Sequence, residues 1–289
     1  MNGAALILAG GAGTRLRPLS TDENPKQFLR IFDGRSLMEM TWERAAQLVS
    51  PAEIFVSTNE RYAAQCREHL PALAGSNLIT EPARRNNAPA IAVSCLAIEA
   101  ALGSDAVIAV LPSDHYIADQ EEFLRVMRTA MEFAAASNTL VTIGIEPTEP
   151  NIGYGYLELG PSLGGEMIQL ERFIEKPSRE RAEELLQSGR YAWNAGIFVW
   201  RAGAFHTELA AAAPQIARAA AHILSMENLA LRAAIYEAMP AISIDYALME
   251  KCSHVATIRG DFGWSDVGTF EALARVGVDV SEYLQRPPS

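Results

Sequence analysis

The first half of the chain alternates short apolar runs with longer amphipathic segments. The apolar runs lie at 4–9, 53–58, 77–81, 106–111 and 139–145. Runs of this length without internal alternation predict strands that are buried on both faces. Strands that alternate with longer helical segments are typical of an α/β fold, in which helices cover a parallel sheet.

Three of the intervening segments carry the signals with which helices begin and end. Two start with the spacing of a capping box, in which a side chain accepts a hydrogen bond from the backbone three residues later. The third starts with asparagine, has proline in its first turn and ends at a glycine. These signals predict a helix from Ser36 and Glu39 to about Val49, a helix from Asp119 and Glu122 over 120–136, and a helix from Asn87 and Pro89 to Gly103.

The pattern changes after about Pro150, where short strands with glycine turns follow one another. This change predicts an antiparallel lobe added to the sheet. The later elements are strands in 153–159 and 167–177, helices at 179–187, 204–224 with a break at Pro214, and 228–239, a strand near 254–259, and a closing helix after Thr269. We therefore expect an α/β fold with a Rossmann-like, mostly parallel sheet flanked by helices. The chain should form one domain over 1–289, with lobes at 1–150 and 151–289.

Composition and charge narrow the class of protein. Of 289 residues, 49% are hydrophobic and 20% are charged, which suffices for the core of one large globular domain. The formal net charge of −11 argues against binding to nucleic acid or to an anionic membrane. Cys66, Cys95 and Cys252 are too widely spaced to predict a metal site, so we expect reduced thiols. No export signal precedes the first strand, and a cytoplasmic location is the expectation.

Three glycines within positions 10–13 follow the first strand. Successive backbone N–H groups in such a turn bind anions, and Arg15, Arg17 and Lys26 add three cations nearby. A phosphate-binding loop is therefore predicted, with a tight strand-to-helix turn as the alternative. Two commoner glycine loops are excluded, because no Gly-Lys-Ser/Thr follows and Leu16 stands where a dinucleotide-binding fingerprint needs its third glycine.

A longer string gives this loop a specific resemblance. Leu8-Ala-Gly-Gly-x-Gly-Thr-Arg-Leu-x-Pro-Leu-Ser, followed by Pro25-Lys26-Gln-Phe-Leu, resembles the signature of sugar-phosphate nucleotidyltransferases, and its Lys-Gln-Phe is similar to that of bacterial mannose-1-phosphate guanylyltransferases. The resemblance implies that the first lobe binds a nucleoside triphosphate and the second a sugar phosphate. The nucleotide-binding residues that it implies are Leu8, Gly10, Gly11, Gly13, Thr14, Arg15, Lys26, Glu81, Arg85, Asn86 and Ser113.

Two aspartates in separate turns match the metal-binding positions of this family. Asp114 lies in a Pro-Ser-Asp-His turn, where an ordinary surface aspartate is the alternative. Asp266 lies in Trp-Ser-Asp-Val-Gly-Thr, where capping of the helix after Thr269 is the alternative. The resemblance implies that the pair binds Mg²⁺, a hard cation that prefers carboxylate oxygens. The histidines form no H-x-x-x-H pair, so zinc is not expected.

Other motifs match the sugar-phosphate side of the family's site. The resemblance implies that Lys176 binds the phosphate and that Glu175 and Asn194 contact sugar hydroxyls. It also implies that the turn at Gly155 lies against the sugar. For Lys176 the alternative is a solvated lysine that ends a strand.

Four motif residues are expected to have structural roles. Trp193 and Phe198 should lie in the core. Asn87 replaces a threonine of the family pattern and should cap its helix, and Asp245 should start a helix.

The resemblance implies an enzyme that transfers GMP from GTP to mannose 1-phosphate, giving GDP-mannose and pyrophosphate. Arg15, Lys26 and Asp114 are the expected catalytic residues, and Mg²⁺ is the expected cofactor. Because a sugar 1-phosphate with a second pKa of about 6 is largely a dianion at pH 7, no general base is required. The alternatives are another pair, such as UTP or dTTP with glucose 1-phosphate, and a nucleotide-sugar sensor without turnover. Homodimer formation is left open.

Overall fold

The computed structural model describes residues 2–11 and 13–284, which form a mixed α/β fold. Nine strands build one sheet, and two short strands pair separately. The strands are β1 (Gly3–Leu8), β2 (Ile54–Asn59), β3 (Leu78–Glu81), β4 (Val107–Pro112), β5 (Tyr116–Ile117), β6 (Leu140–Ile145), β7 (Tyr156–Gly164), β8 (Met167–Ile174), β9 (Tyr191–Arg201), β10 (Val255–Gly260) and β11 (Trp264–Ser265).

The predicted helices are present, with small shifts at their ends. The helices are α1 (Leu37–Ala45), α2 (Ala63–His69), α3 (Asn87–Leu102), α4 (Gln120–Ala136), α5 (Arg179–Ser188), α6 (Ala202–Ala212), α7 (Pro214–Ser225), α8 (Leu229–Ala238), α9 (Phe270–Arg275) and α10 (Ser281–Leu284), and a π-helical turn covers Asp245–Met249. Ser36 and Glu39 form the predicted capping box. None of the helices in the described residues combines the length and the apolar character that crossing a bilayer requires.

The sheet is mixed. The predicted strands β1, β2, β3 and β4 pair in parallel and the predicted antiparallel strands β7 and β8 are present, but the sheet as a whole is not mostly parallel. The strand order is β3-β2-β1-β4-β9-β6-β10-β8-β7, and β7 also pairs with β9. Four of these pairings are parallel, and five are antiparallel because β8 and β9 run against the other strands. The strand β9 was not among the predicted elements, and it brings antiparallel pairings with β4 and β6 into the part of the sheet that was predicted to be parallel.

The two halves of the chain share this one sheet. The strand β9 comes from the second half and lies between β4 and β6 of the first half, and β10 pairs with β6. The division into lobes at 1–150 and 151–289 stays a prediction. The sheet shows that any such lobes are joined through continuous strand pairing.

Two apolar clusters cover the faces of the sheet. Alternate residues of β1 belong to different clusters, with Ala5 and Ile7 on one face and Ala4 and Leu6 on the other. This alternation is the expected result of a strand that is buried on both sides. Trp193 and Phe198 are both buried, which confirms the prediction that they lie in the core.

A third apolar cluster lies apart from the sheet and supports its loops. Leu16 from the glycine loop and Leu29 from the Lys-Gln-Phe segment pack there against Val267 and Leu273. The cluster therefore fixes the two N-terminal loops to the C-terminal segment.

Replacing Phe205 by alanine should lower the free energy of unfolding by about 3–5 kcal/mol. Phe205 is 1% exposed, and its ring stacks on Trp200 with centroids 4.6 Å apart, so its removal leaves a cavity. Denaturant titration followed by circular dichroism measures the loss. Leu163→Ala, at an exposed position of β7, is the control and should change stability by less than about 0.5 kcal/mol. Equal losses in both variants would contradict this account of the core.

Candidate active site

A cavity of about 500 Å³ opens where β1 and β4 end and β9 begins. This is the edge of the sheet at which ligands bind in such folds. The predicted site residues that line it are Leu8, Gly10, Gly11, Glu81, Arg85, Asn86, Asp114, Gly155, Glu175, Lys176, Asn194 and Asp266. The remaining predicted residues, Gly13, Thr14, Arg15, Lys26 and Ser113, are not part of its wall as the structure describes it.

The side chain of Gln27 holds the glycine loop in place. The amide of Gln27 donates to the carbonyls of Ala9 and Gly11, at 3.3 and 3.1 Å. Gly13 has φ +59°, and a Cβ at that position would lie 2.8 Å from Cβ of Lys26. Only glycine fits there without a shift of the backbone, and Lys26 is thereby fixed directly beneath the loop.

Of the three cations predicted beside the loop, Arg15 and Lys26 contact the turns that contain Asp114 and Asp266, which we call the acidic turns. Arg15 lies 3.3 Å from Asp266, and its side chain is 65% exposed. Arg17 instead pairs with Asp22 at 2.9 Å on the surface and is not part of the described wall of the cavity. The chain turns away from the cavity after Leu16, which is fully buried in the third apolar cluster.

The small sheet of β5 and β11 brings the two predicted metal-binding turns together. Trp264 pairs with Ile117 and Ser265 with Tyr116 in antiparallel register. Asp114 comes shortly before β5 and Asp266 directly after β11, so this register fixes the two acidic turns beside each other.

The Lys26 ammonium contacts both of the turns that contain Asp114 and Asp266. Its side chain is 4% exposed, and Nζ lies 2.7 Å from Oδ2 of Asp114 and donates to the carbonyl of Asp266 at 2.5 Å. Burial is the largest single influence and acts to raise the pKa of Asp114, but the Lys26 charge, His115 and the hydrogen bonds to the carboxylate together outweigh it and hold that pKa below its ordinary value. Asp114 is therefore a paired carboxylate of the cavity and no ordinary surface aspartate.

Asp266 has several donors around its carboxylate. Oδ1 accepts from the hydroxyl of Tyr154 at 2.8 Å and from the N–H of Gly268 at 3.2 Å, while Oδ2 faces Arg15. The cap of α9 is the side chain of Thr269, so the alternative role of Asp266 as a helix cap is excluded. Burial and the Asp266 charge raise the pKa of Tyr154, which keeps the hydroxyl protonated as a donor.

The two aspartates fit a magnesium ion that takes its other ligands from a substrate. Both carboxylates line one cavity, and they are hard oxygen donors of the kind Mg²⁺ binds. No group of three or more histidine, cysteine or acidic side chains suited to a metal occurs among the described residues. One or two protein carboxylates with substrate phosphates and water are typical of Mg²⁺ sites, whereas a transition metal normally has more protein ligands.

His115 is held neutral next to this pair. Its Nδ1 accepts from Nε1 of Trp264 at 3.1 Å. Burial, with the nearby Lys26 and Arg44 charges, lowers the pKa of His115 to about 4. At neutral pH His115 therefore adds no charge to the cavity.

Asn194 is fixed in orientation on the opposite side of the cavity. Its Oδ1 accepts from the hydroxyl of Thr142 at 2.8 Å and from the N–H of Gly196 at 3.1 Å. Its Nδ2 donates to Oδ1 of Asp245 at 3.1 Å. Because an amide nitrogen has two hydrogens, one N–H remains for a ligand in the cavity.

Glu175 and Lys176 lie beside Asn194. Their side chains form an ion pair with each other, and the Glu175 side chain is 4% exposed. A Cβ at Gly155 would lie 2.6 Å from Oε2 of Glu175, so glycine is needed for this close approach. The predicted turn at Gly155 thus lies against the glutamate that bounds the cavity.

The end of the cavity near β3 contains Glu81 and Arg85. Oε1 of Glu81 accepts from the hydroxyl of Ser57 at 3.1 Å and Oε2 from that of Tyr236 at 2.6 Å. Burial outweighs these hydrogen bonds and raises the pKa of Glu81. Nε of Arg85 donates to the carbonyl of Glu237 at 2.7 Å, which fixes the guanidinium at the rim.

The start of α3 differs from its prediction by one residue. Asn86 is the cap, with φ +61°, and its Oδ1 accepts from the N–H of Asn87. The predicted capping role of Asn87 is therefore wrong. Oδ1 of Asn87 accepts from the N–H of Ile244 at 2.7 Å, so the side chain anchors the segment that precedes Asp245.

Backbone strain is concentrated around the cavity. Of the four described non-glycine residues with positive φ, Asn86 and Lys176 line it and Val267 follows Asp266 directly. Such conformations cost about 1–3 kcal/mol each and are typical of functional sites, where the surrounding structure enforces them.

Comparison with known proteins assigns the chain to a family. A family model described as nucleotidyl transferase matches residues 4–282. The chain belongs to this family. A mannose-1-phosphate guanylyltransferase of Sinorhizobium fredii is 39% identical over 283 residues, covering 92% of this nucleotidyl transferase and 53% of that protein. The xanthan biosynthesis protein XanB of Xanthomonas campestris is 40% identical over 285 residues, which cover 96% of this chain and 59% of that protein.

A solved structure also resembles this nucleotidyl transferase along its whole length. It is a Thermus thermophilus protein named a mannose-1-phosphate geranyltransferase, with TM-score 0.87 and 34% identity, and it covers 100% of this chain and 81% of that one. The chain spans little more than half the length of the two curated relatives above.

Two residues of the cavity were missed at the level of sequence. Asp245 begins the π-helical turn, as predicted, but it also lines the cavity against Asn194, which was not predicted. Tyr154 lies in the predicted turn at Gly155 and was given no role of its own, although its hydroxyl donates to Asp266. For Asp245 the sequence signal was a carboxylate within an apolar segment. A carboxylate is seldom buried unless it is paired, so this position could have been recognised as a candidate site residue.

Replacing Asp245 by asparagine should stabilise the nucleotidyl transferase at neutral pH and have little effect near pH 4. Burial, then the Glu175 charge, raise the pKa of Asp245 from 3.8 to about 6, against a smaller opposing effect of Lys176. The folded state thus binds this proton more tightly than the unfolded state. The cost of ionising Asp245 therefore develops as pH rises from about 4 to 6, and reaches on the order of 2–3 kcal/mol above that window.

Thermal unfolding of both proteins between pH 4 and 8 measures this difference. Asp105→Asn, at a side chain that is 85% exposed, is the matched control and should show no such trend. A stability difference between Asp245→Asn and the unaltered chain that stayed constant across this range would contradict the assignment.

Proposed function

We propose that this chain transfers GMP from GTP to mannose 1-phosphate, releasing pyrophosphate and forming GDP-mannose. The observation that supports the proposal most is the composition of one cavity. It joins the glycine loop, the two aspartates and the Glu175-Lys176-Asn194 group within about 500 Å³. A cavity of this size accommodates a nucleotide and a small co-substrate only in contact with each other, as group transfer requires.

The triphosphate is proposed to lie along the glycine loop. Gly10 and Gly11 line the cavity, and the backbone N–H groups of such a turn suit phosphate oxygens. Arg15 and Lys26, which pair with Asp266 and Asp114, supply positive charge at the departing pyrophosphate. Thr14 and Ser113 stay proposed nucleotide-binding residues, and the N–H of Ser113 donates to the carbonyl of Leu8 at 3.0 Å and so holds the loop against β4.

Guanine is proposed to bind near Glu81. The Glu81 carboxylate keeps lone pairs free beside Gly10, because Ser57 and Tyr236 use only one on each oxygen. Guanine presents two adjacent donors, N1–H and N2–H, which match a carboxylate. Uracil and thymine present one N–H between two carbonyls, and those carbonyls would face negative charge.

The sugar is proposed to lie between Glu175, Asp245 and Asn194. Two carboxylates and one amide N–H offer acceptors and a donor for sugar hydroxyls. Lys176, with its ammonium on the exposed side of Glu175, suits the sugar phosphate. Mannose differs from glucose in its axial 2-hydroxyl. If glucose cannot make the hydrogen bond that this hydroxyl makes, a buried polar group of the site stays unpaired, and the site prefers mannose.

The mechanism that fits is direct in-line attack. The sugar phosphate dianion is itself the nucleophile, so the chain needs to align it with the α-phosphorus and to stabilise charge on the leaving pyrophosphate. The neutral state of His115 agrees with this, since no protonated histidine is available as an acid. Asp114 and Asp266 would hold Mg²⁺, which neutralises phosphate charge when it is bound.

A grid of nucleoside triphosphates against sugar 1-phosphates, with Mg²⁺ and a pyrophosphate assay, tests the proposal. GTP with mannose 1-phosphate should react fastest. Glucose 1-phosphate should be slower by roughly tenfold to a hundredfold, as one or two lost hydrogen bonds imply. Faster release with UTP or dTTP would overturn the choice of guanine, and no release from any pair would favour a nucleotide-sugar sensor.

Replacing Asp266 by asparagine should lower kcat by at least about a hundredfold, or ~2.7 kcal/mol, because a neutral amide is a poorer Mg²⁺ ligand. Asp114→Asn should do the same but also destabilise the fold, since buried Lys26 loses its charged partner. Rates measured across a Mg²⁺ titration, with circular dichroism as a check on folding, separate these effects. Asp105→Asn serves as the control. Activity near that of the unaltered chain at limiting Mg²⁺ would remove Asp266 from the metal site.

A further inference from the structure

A second cavity adjoins the first and has no part in the proposed reaction. It has a volume of about 410 Å³ and opens beside β3, which is the strand at one end of the sheet. Glu81 and Ala90 belong to the walls of both cavities. The remaining wall is largely apolar and includes Leu78, Ile79, Val93, Ala97, Ile223 and Leu229.

One cation faces this apolar space. Arg232 is the only lysine or arginine in its described lining. The Nε of Arg232 is buried and has no hydrogen-bond partner among the described residues, and no carboxylate pairs with the guanidinium there. A buried donor without an acceptor costs about 1–3 kcal/mol, so an acidic group bound in this cavity would gain by accepting a hydrogen bond from Arg232.

The helix that carries Arg232 also holds the proposed nucleobase site. Tyr236 lies one turn further along α8, and its hydroxyl donates to Glu81 at 2.6 Å. The next residue, Glu237, accepts from Arg85 through its carbonyl. A shift of α8 therefore moves the partners of both Glu81 and Arg85, which line the first cavity.

We infer that the second cavity is a regulatory site for a small amphipathic anion, which changes nucleotide binding through α8. The apolar or aromatic body of the ligand packs against β3, α3 and α7, and its acidic group accepts from Arg232. Glu60 and Glu81 in the wall disfavour a second negative charge, so one acidic group is the best match. A volume of about 400 Å³ is in the range of small-molecule sites that are mostly apolar with a few polar groups.

The fluorescent probe 1-anilinonaphthalene-8-sulfonate has this chemistry and tests the site by direct titration. Arg232→Gln removes the cation and Ala97→Phe fills the space, and each should weaken binding of the probe by about tenfold or more. Arg218→Gln, at an exposed position of α7 outside the cavity, is the matched control and should bind like the unaltered chain. Should Ala97→Phe fail to fold, Arg232→Gln at a partly exposed helix position still decides the question.

The coupling between the second cavity and nucleotide binding rests on the proposed nucleotide site. It is tested by probe titration in the presence of a saturating nucleoside triphosphate, namely the one that reacts fastest in the substrate grid. The triphosphate should change the affinity for the probe by about fivefold or more, and the probe should change the triphosphate affinity by the same factor. Arg232→Gln without the probe should keep the basal kcat. If the substrate grid shows that the base is not guanine, these measurements still test the second cavity, because they record binding and not turnover.

Three results would overturn the inference. Equal affinity of the probe for Arg232→Gln and the unaltered chain would remove the cation from the site. Complete displacement of the probe by the triphosphate would place the probe in the first cavity. Independent binding of the two ligands would leave no coupling through α8.

Discussion

The buried ammonium group of Lys26 is the contact on which the geometry of the cavity depends. It lies between the carboxylate of Asp114 and the backbone carbonyl of Asp266. A charge that is withdrawn from water must be paired and hydrogen-bonded, because its desolvation otherwise costs several kcal/mol. Both acidic turns therefore stay against Lys26, and Gly13 has no side chain because the backbone of that lysine passes directly below it.

The third apolar cluster supplies the stability that keeps this arrangement closed. Val267, between Asp266 and Gly268, has φ +37°, which is strained for a β-branched residue. Its side chain is fully buried with Leu16 and Leu29, so hydrophobic contact offsets the strain and fixes the direction of the Asp266 carboxylate. The loops that bind phosphate in our proposal and the C-terminal segment thus depend on the same contacts.

The charges of the cavity explain why anionic substrates would need a cation there. Its described lining has the five carboxylates Glu81, Asp114, Glu175, Asp245 and Asp266, against the cations Arg84, Arg85 and Lys176. In a chain of net charge −11, such a cavity would repel a triphosphate and a sugar phosphate. Arg15, Lys26 and a divalent ion at the two aspartates would reverse that repulsion locally.

The sequence by itself determined the elements and the kinds of chemistry. Apolar runs located the strands of the first half, capping signals located the helices, and the glycine string with its Lys-Gln-Phe segment identified the family, because these features depend on neighbours in the chain. Only the tertiary structure decided the direction of β9, the place of Arg17 at the surface, and the entry of Asp245 and Tyr154 into the site. The register of β5 with β11 and the burial of Lys26 likewise join residues remote in sequence. Such contacts leave no local pattern, since a strand, a lysine or an aspartate has the same neighbours in the chain whichever partner it meets in the fold.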